Sequence, residues 1–398
     1  MKKKRILIIS GEFIPYTQSI GGVIRLLSFL KSLKKNNLKL ISLKKNYYGY
    51  FGFRSYIKNV KKKYLENKLS KPNKIKHLFI SIIRFYFSNL LYILGIDQNF
   101  FSKKIYLREI KSSLKNFKPD FILISGPPFS LFRLVHEIRS LNQKVKIILD
   151  YRDGWSSRIR SKKFYLIKKI MNNVERKILD KCNFVLCATS QIYKDVKSLK
   201  KKNIYLIKNG FLKNEKKIVS VSKSDRKILI GYFGLISDDS YGYRDIKVIY
   251  NSLKSNNKIQ FSFYGNSIIK NKNIKNSKYF KFYKNISYFE TQNKMKQFDY
   301  LLILHTEKST SKEVVTGKFY EYLSSQTPII MISNGETEAG KIIKKNKLGF
   351  SVDYSRISLE KFFSNLKKIK RNNIKSSYMK KFSRLEQNKK LVKIINEN

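Results

Sequence analysis

Short apolar runs alternate with amphipathic segments along this chain. In the first half the apolar runs lie at 5–10, 38–43, 120–125, 145–150 and 184–190. Segments with helical periodicity separate them, at 21–33, 129–141 and 167–182. A second series of apolar runs follows at 227–234, 258–265, 299–305, 327–333 and 348–353. Apolar strands between amphipathic helices are typical of parallel sheets covered on both faces, so the pattern predicts an α/β protein.

A polar, charged stretch with an Asn-Gly turn divides the two series. We therefore predict an N-terminal domain over 1–205, a linker over 206–226, a C-terminal domain over 227–375 and a basic helical tail over 376–398. Two α/β domains predict a cleft between them, and parallel sheets bind ligands beyond the carboxyl ends of their strands. The residues directly after strands are therefore the candidates for chemistry.

Three strand-to-helix turns carry such candidates. Gly21 and Gly22 precede a helix, where bare N–H groups can face an anion or simply turn the chain. Asp150 and Asp153 close a strand in LDYRDGW, where they can cap the next segment, bind sugar hydroxyls or assist an acceptor. Arg244 stands as the last residue before a predicted helix, where its guanidinium can neutralise phosphate oxygens.

The segment EVVTGKFYEYLSSQTPII, at 313–330, is the most specific of all. Seven residues separate Glu313 from Glu321, and Thr316-Gly317 predict the start of a helix. Lys318 then falls in the first turn, where the helix dipole disfavours a cation. An anionic ligand at this turn explains the lysine, whereas a surface helix with a fortuitous carboxylate pair needs no ligand.

This segment resembles the E-x7-E element of retaining GT-B glycosyltransferases of family 4, in their cell-surface polysaccharide branch. GGVIR, PDFILISGPPFS, LDYRDGW, IKNGF, GYFGLI and FDYLLIL agree with that family in order and spacing. The resemblance implies two Rossmann-like domains whose parallel sheets face an interdomain cleft. It also implies transfer of a sugar, with retention, from a nucleotide-diphosphate donor to a glycan or lipid-linked acceptor. The pathway implied is O-antigen, capsule or exopolysaccharide biosynthesis.

The resemblance further implies residue roles. Glu321 would hold the ribose hydroxyls, and Glu313 would contact the donor sugar near the reacting carbon. We take Glu313 and, from its place after a strand, Asp153 as the catalytic candidates. The diphosphate would be surrounded by Gly21, Gly22, Arg244, Thr316, Gly317 and Lys318. Fixed positive charge and N–H dipoles then stabilise the leaving group, so we expect neither a metal nor a cofactor. The chain departs from the family where no glycine follows Lys247, and where LDYRDGW replaces a histidine found in many relatives.

Charge is the unusual global property, because 85 Lys and Arg against 27 Asp and Glu give a net charge of +58. AT-rich codon usage and selection for an anionic partner both explain the excess, and both stay open. Two cysteines, Cys182 and Cys187, cannot form a disulfide framework, and three scattered histidines favour neither a metal site nor a catalytic triad. We expect a reduced, cytoplasmic protein.

The basic residues are dense over 31–76, where fifteen Lys and Arg face a single acid, Glu66. The following segment, 77–96, places its polar residues in one helical stripe opposite a broad apolar face. It predicts either an interfacial helix on an anionic inner-membrane surface or a buried helix among solvated lysines. We favour peripheral attachment to the inner face of the cell membrane.

Two other functions fit parts of the sequence. Lysine excess with interleaved aromatic residues is typical of basic nucleic-acid-binding proteins. Here, however, the charge is spread along the chain, and the sequence contains no recognisable RNA- or DNA-binding module. We therefore do not expect nucleic acid as a partner. Nucleotide-sugar epimerases share the GT-B architecture, and they would form product without an acceptor.

Overall fold

The computed structural model describes most of the chain in ten stretches. These are residues 3–17, 20–44, 59–66, 102–158, 165–212, 227–239, 244–253, 258–306, 315–366 and 381–398. The chain divides into two compact units, the first formed by Met1–Lys208 with Gln387–Asn398 and the second by Asn209–Glu386. Residues 387–398, at the end of the predicted tail, thus belong to the first unit.

The first unit is built on a seven-stranded parallel sheet of order β3-β2-β1-β4-β5-β6-β7. Its strands are β1 (Arg5–Ser10), β2 (Asn37–Leu43), β3 (Lys61–Leu65), β4 (Phe121–Gly126), β5 (Lys146–Tyr151), β6 (Phe184–Cys187) and β7 (Ile204–Leu206). The strand order reverses between β1 and β4, as in Rossmann sheets, so the crevice at their carboxyl ends is the expected ligand site of this unit.

The helices of the first unit place apolar faces on this sheet. They are α1 (Ile20–Ser32), α2 (Lys103–Asn116), α3 (Leu134–Leu141), α4 (Tyr165–Lys181) and α5 (Ser190–Leu199). Beyond β4 and β5 the core is aromatic, and the Trp155 ring stacks on Phe129 with centroids 5.2 Å apart. The closing helix α12 (Arg384–Glu397) buries Leu391 and Ile395 completely.

The second unit repeats the same topology with a six-stranded parallel sheet of order β12-β10-β8-β13-β14-β15. Its strands are β8 (Ile228–Phe233), β10 (Ile259–Tyr264), β12 (Phe280–Tyr283), β13 (Tyr300–His305), β14 (Ile329–Ser333) and β15 (Gly349–Asp353), with a small pair formed by β9 (Ile236–Ser237) and β11 (Ser267–Ile268). Its helices are α6 (Lys247–Asn251), α7 (Lys272–Lys275), α8 (Tyr288–Met295), α9 (Gly317–Ser324), α10 (Glu338–Lys345) and α11 (Arg356–Asn365). Here the order reverses between β8 and β13.

The structure confirms the predicted α/β class and two Rossmann-like parallel sheets. The sequence pattern missed the two-residue strands β9 and β11 and three strands of the main sheets. The strand β3 reads KKKYL and exposes its three lysines at a sheet edge, while β7 has three residues and β12 has four. The predicted helix over 129–141 is a 3₁₀ turn, Phe129–Arg133, followed by α3.

Candidate functional site

Two glycines shape the carboxyl end of β8 in the second unit. Gly234, directly after the strand, has φ +134°, a conformation that L side chains rarely adopt. A Cβ atom there would lie 2.8 Å from both Cε and Nζ of Lys318. Gly265, after the neighbouring strand β10, has φ +140°, and a Cβ atom there would lie 2.5 Å from the Gly234 carbonyl oxygen. These glycines allow the lysine ammonium to rest against the backbone at the point where the strand order reverses.

Lys318 lies in the first turn of α9 and points to that strand end. Its Nζ donates a hydrogen bond to the Tyr232 hydroxyl at 3.2 Å and lies 4.8 Å from the centre of the tyrosine ring. Burial, followed by the positive charge of Arg244, lowers the pKa of Lys318 to about 7. An anion bound beside Lys318 would offset both effects and raise this pKa, because a nearby opposite charge favours the protonated form.

Arg244 approaches the same strand end from the loop after β9. The Ser237 N–H donates to the Arg244 carbonyl at 3.2 Å, and Arg244 Nη1 lies 3.4 Å from the Leu235 carbonyl. Asp245 follows with a buried side chain that accepts from the Lys247 N–H at 2.9 Å. The helix therefore begins at Lys247, and the expectation that Arg244 directly precedes it is wrong by two residues. Its charge nevertheless acts on Lys318.

Glu321 follows Lys318 by three residues on α9, so the two side chains share one helix face. The Tyr288 hydroxyl and Gln292 Nε2, both from α8, donate to Glu321 Oε2 at 2.7 Å each. Ser324 Oγ lies 2.9 Å from Gln292 Oε1, which orients the amide nitrogen toward the carboxylate. Both donors from α8 reach the same oxygen, Oε2, so neither of them occupies Oε1.

Burial raises the pKa of Glu321, and the positive charge of Arg384 and the hydrogen bonds from Tyr288 and Gln292 oppose that rise. Hydroxyl donors of a ligand would add to these hydrogen bonds and so favour the ionised form.

The start of α9 confirms the predicted helix boundary. Thr316 is the N-cap residue and Gly317 the first helical residue. Thr316 Oγ1 is enclosed and has no hydrogen-bond partner in the described part of the chain. Gly317 is exposed, and a Cβ atom there would meet nothing within 4 Å. Glu313 lies outside the described residues, so its predicted role stays a prediction.

In the first unit, Arg152 links the end of β5 to the end of β4 and to the first turn of α1. It follows β5, and its guanidinium donates to the carbonyls of Gly22 and Pro127, with Nε 3.4 Å from the Gly126 carbonyl. Gly22 also lies against Glu12, since a Cβ at position 22 would be 2.8 Å from Glu12 Oε1. Sequence reasoning missed Arg152, although its place between two candidate carboxylates in LDYRDGW was a signal.

The predicted residues of this unit differ in exposure. Gly21 and Gly22 lie within the first turn of α1, which begins at Ile20, so the expectation that they precede the helix is wrong. Gly21 and Asp153 are exposed, and Gly22 is partly exposed beside Arg152. Asp150, by contrast, is fully buried. Its carboxylate pairs with Arg25 at 2.8 Å and accepts from Ser125 Oγ at 2.9 Å. The proposed contact of Asp150 with sugar hydroxyls is therefore wrong, because its oxygens are already bonded inside the core.

A second buried carboxylate, Glu175 of α4, holds the loop that follows Arg152. It accepts from the Ser156 N–H at 3.1 Å and from the Ser156 hydroxyl. Burial raises the pKa of Glu175, and the two bonds from Ser156 oppose that rise. This carboxylate fixes the end of LDYRDGWS against α4, and the sequence pattern did not reveal it.

Among the described residues, no group of three or more His, Cys, Asp and Glu side chains is placed to hold a metal ion. No helix in this part of the chain is long and apolar enough to cross a bilayer. The predicted interfacial helix over 77–96 lies outside the described residues. Cys182 and Cys187 are free and buried, and burial raises the pKa of the Cys182 thiol to about 12.

Comparison with solved structures identifies the fold. The whole chain is similar to the lipopolysaccharide outer core galactosyltransferase WaaB (14% identity, TM-score 0.62, 98% of this chain and 99% of that one). It is similar to Anabaena Alr3699/HepE in complex with UDP and glucose (11% identity, TM-score 0.62, 99% of this chain and 100% of that one). It is also similar to sucrose-phosphate synthase from Thermosynechococcus elongatus (10% identity, TM-score 0.67, 99% of each chain).

The chain has the GT-B fold. UDP-N-acetylglucosamine 2-epimerases share it too, and two of them match with TM-scores of 0.55 and 0.51 at 14% and 11% identity. No protein-family model and no curated protein sequence matches the chain. At these identities the likeness concerns the fold alone, so the resemblance to family 4 stays a prediction.

Proposed function

We propose that this protein is a retaining glycosyltransferase that uses a nucleotide-diphosphate sugar as donor. One observation carries the proposal: Lys318 and Arg244 bring two positive charges to the carboxyl end of β8, and Glu321 follows one helical turn away. A nucleoside diphosphate needs cations at its phosphates and an acceptor for its ribose hydroxyls, and this arrangement offers both within one Rossmann-like unit.

The proposed mechanism uses the charge of the leaving group. When the glycosidic bond to the diphosphate breaks, negative charge grows on the phosphate oxygens, and Arg244 and the protonated Lys318 stabilise it. The proton that Lys318 carries when an anion binds makes this stabilisation stronger. Glu321 Oε1 would accept from a ribose hydroxyl while Oε2 stays bonded to α8. Glu313 would contact the donor sugar near the reacting carbon, and Asp153 would assist the acceptor.

The acceptor that we propose is a glycan or a lipid-linked saccharide of the cell-surface polysaccharide pathways. The similarity to a lipopolysaccharide galactosyltransferase supports this class of acceptor. We further propose a cytoplasmic protein attached to the inner face of the cell membrane, consistent with its charge of +58. We expect no metal, because Lys318 and Arg244 already supply positive charge at the proposed phosphate position.

An epimerase acting on a nucleotide sugar is the second candidate, and the matches to UDP-N-acetylglucosamine 2-epimerases favour it specifically. Such an enzyme would need the same nucleotide site. The two functions differ in their requirement for an acceptor, since an epimerase converts its substrate alone.

Thermal unfolding tests the nucleotide site first. Purified protein is heated with UDP, GDP, ADP, CMP and common sugar conjugates, without metal. We expect one diphosphate to raise the unfolding midpoint, and Glu321→Ala to remove that shift. The matched control is Glu360→Ala, which removes an exposed carboxylate of α11 and should keep the shift. No shift with any nucleotide, together with tight salt-sensitive RNA binding, would contradict the proposal and favour the nucleic-acid alternative.

Incubation of the identified sugar nucleotide with and without acceptor separates the two enzyme classes. A new saccharide formed only with acceptor supports transfer, whereas an altered sugar nucleotide formed without acceptor supports epimerisation.

A further inference from the structure

The first two turns of α4 expose an apolar surface. Tyr165 is 67% exposed, Leu166 73% and Ile170 60%. Leu166 and Ile170 are four residues apart and lie side by side on the helix. These three are among nine large hydrophobic side chains that the described residues expose, and the other six are scattered over the chain. An exposed aliphatic pair beside a tyrosine is unusual unless another surface covers it.

The opposite face of α4 already has its partners. Met171, Glu175, Ile178 and Leu179 are buried against the sheet of the first unit. The exposed residues therefore do not belong to the core of this unit. We call Tyr165, Leu166, Lys169 and Ile170, with the exposed Arg176 and Lys177, the α4 face.

Positive charge lies on the same face as the apolar side chains. Lys169 stands between Leu166 and Ile170 in the chain, and Arg176 and Lys177 continue the exposed side two turns later. The acids of α4 offset only part of this charge. Glu175 is buried and bonded to Ser156. Asp180 is exposed and stands four residues after Arg176 and three after Lys177, so it balances one of the three cations and leaves a net positive charge on the α4 face. Lys169, beside Leu166 and Ile170, lies more than two turns from Asp180. Aliphatic groups next to exposed cations favour a surface that is both apolar and anionic.

The position of α4 matters for the acceptor. The helix follows β5 and runs back along a parallel sheet, so its first turns lie near the carboxyl ends of the strands. The connecting loop carries Arg152 and the exposed Asp153, and Glu175 fixes the loop at Ser156. The α4 face therefore begins at the same edge of the sheet as the candidate acceptor residues.

We propose that the α4 face docks on the surface of an anionic lipid bilayer. Leu166 and Ile170 would enter the interface between headgroups and acyl chains, with Tyr165 at headgroup level, while Lys169, Arg176 and Lys177 contact lipid phosphates. Nucleic acid would use the cations but would leave the two aliphatic side chains exposed to water. This docking surface is distinct from the segment 77–96. The proposal rests on described residues of α4 and not on sugar transfer, so either claim can fail without the other.

Binding to vesicles tests the docking surface directly. Wild-type protein is titrated with vesicles of phosphatidylglycerol mixed with phosphatidylcholine, and with pure phosphatidylcholine. We expect preference for the anionic vesicles, reduced by high salt. The double variant Leu166→Gln/Ile170→Gln should bind at least about tenfold more weakly, since two aliphatic chains no longer leave water. Lys169→Glu should weaken binding by about fivefold or more.

The matched control is Ile357→Gln on α11 of the second unit, where Ile357 is 81% exposed. It should bind vesicles like wild type. All these positions are exposed, and equal unfolding midpoints would verify that the variants fold. Equal vesicle binding by the double variant and wild type would overturn the proposal, as would absence of binding or equal affinity for neutral vesicles. An RNA affinity that falls in the double variant while vesicles do not bind would also overturn it.

A fluorescent label locates the contact. Leu166→Cys carries an environment-sensitive dye, and Ile357→Cys carries the same dye as control; the native thiols are buried and react poorly. Anionic vesicles should shift the emission of the dye at position 166 to the blue and leave that at 357 unchanged. An unshifted dye at 166 on vesicle-bound protein would place the membrane contact elsewhere and overturn the assignment to α4.

Discussion

Gly234 and Lys318 are packed so closely that a Cβ atom on the glycine would lie 2.8 Å from the lysine Nζ. Residue 234 ends a strand and residue 318 begins a helix, so the absence of a side chain at one position sets where the charge of the other lies. The φ of +134° at Gly234 adds a second reason for glycine.

Gly234→Ala should therefore displace the Lys318 ammonium and strain the backbone. We expect the free energy of unfolding to fall by about 1–3 kcal/mol and nucleoside-diphosphate affinity to fall about tenfold. Denaturant unfolding and calorimetric titration measure the two effects. Gly317→Ala is the stability control, because its Cβ meets no atom and it should not lower the free energy of unfolding. Unchanged nucleotide affinity in Gly234→Ala would show that this strand end does not bind phosphate.

Tyr288→Phe should make the Glu321 side chain less well oriented, without removing its carboxylate. The variant loses one of the two 2.7 Å hydrogen bonds to Glu321 Oε2, and a bond to a charged group contributes about 1.5–3 kcal/mol. We expect the KM for the donor to rise about tenfold with kcat nearly unchanged. Thr291→Ala on the same helix, which removes a bond to the Ser287 carbonyl, should change neither constant. A fall in kcat alone would place Glu321 at the reacting sugar instead of the ribose.

Lys318 predicts a specific dependence of stability on pH. Burial and Arg244 lower its pKa from 10.5 to about 7, so between these values the unfolded chain holds a proton that the folded protein has released. The free energy of unfolding of the wild type therefore rises with pH across this window. Lys318→Met lacks the penalty, so its stability relative to wild type should be greatest below pH 7 and decline above it. Lys361→Met, at an exposed position, should show no such trend. Parallel profiles for Lys318→Met and wild type would contradict the lowered pKa.

Asp150→Ala should destabilise the first unit strongly. It leaves the Arg25 guanidinium buried without its carboxylate, a loss that costs about 3–5 kcal/mol. The exposed pair Arg356–Glu360 is the control, and Glu360→Ala should change the free energy of unfolding by less than about 1 kcal/mol. Urea unfolding compares the two variants. If Asp150→Ala kept wild-type stability but lost transfer activity, the carboxylate would have a role in the chemistry that its burial argues against.

The alternation of apolar runs and amphipathic helices was enough to predict both sheets. A buried parallel strand needs a continuous apolar run, and ten such runs became strands. The missed strands were short or, like β3, polar and exposed at an edge, where pairing follows the neighbouring strand rather than burial. The strand β3 lies within the basic region 31–76, where the lysines hid it from a pattern that looks for apolar runs.

Residue spacing is also enough to decide which groups share the face of α9. Lys318 and Glu321 are close in the chain, and helical periodicity alone places them together. Tertiary structure decided their partners. Tyr288 and Gln292 meet Glu321 from 33 and 29 residues away, and Arg25 meets Asp150 from 125 residues away. Such contacts follow from strand order and helix packing, which local patterns do not encode. The two aspartates of LDYRDGW therefore differ in the structure: Asp150 forms a buried ion pair, and Asp153 is an exposed carboxylate.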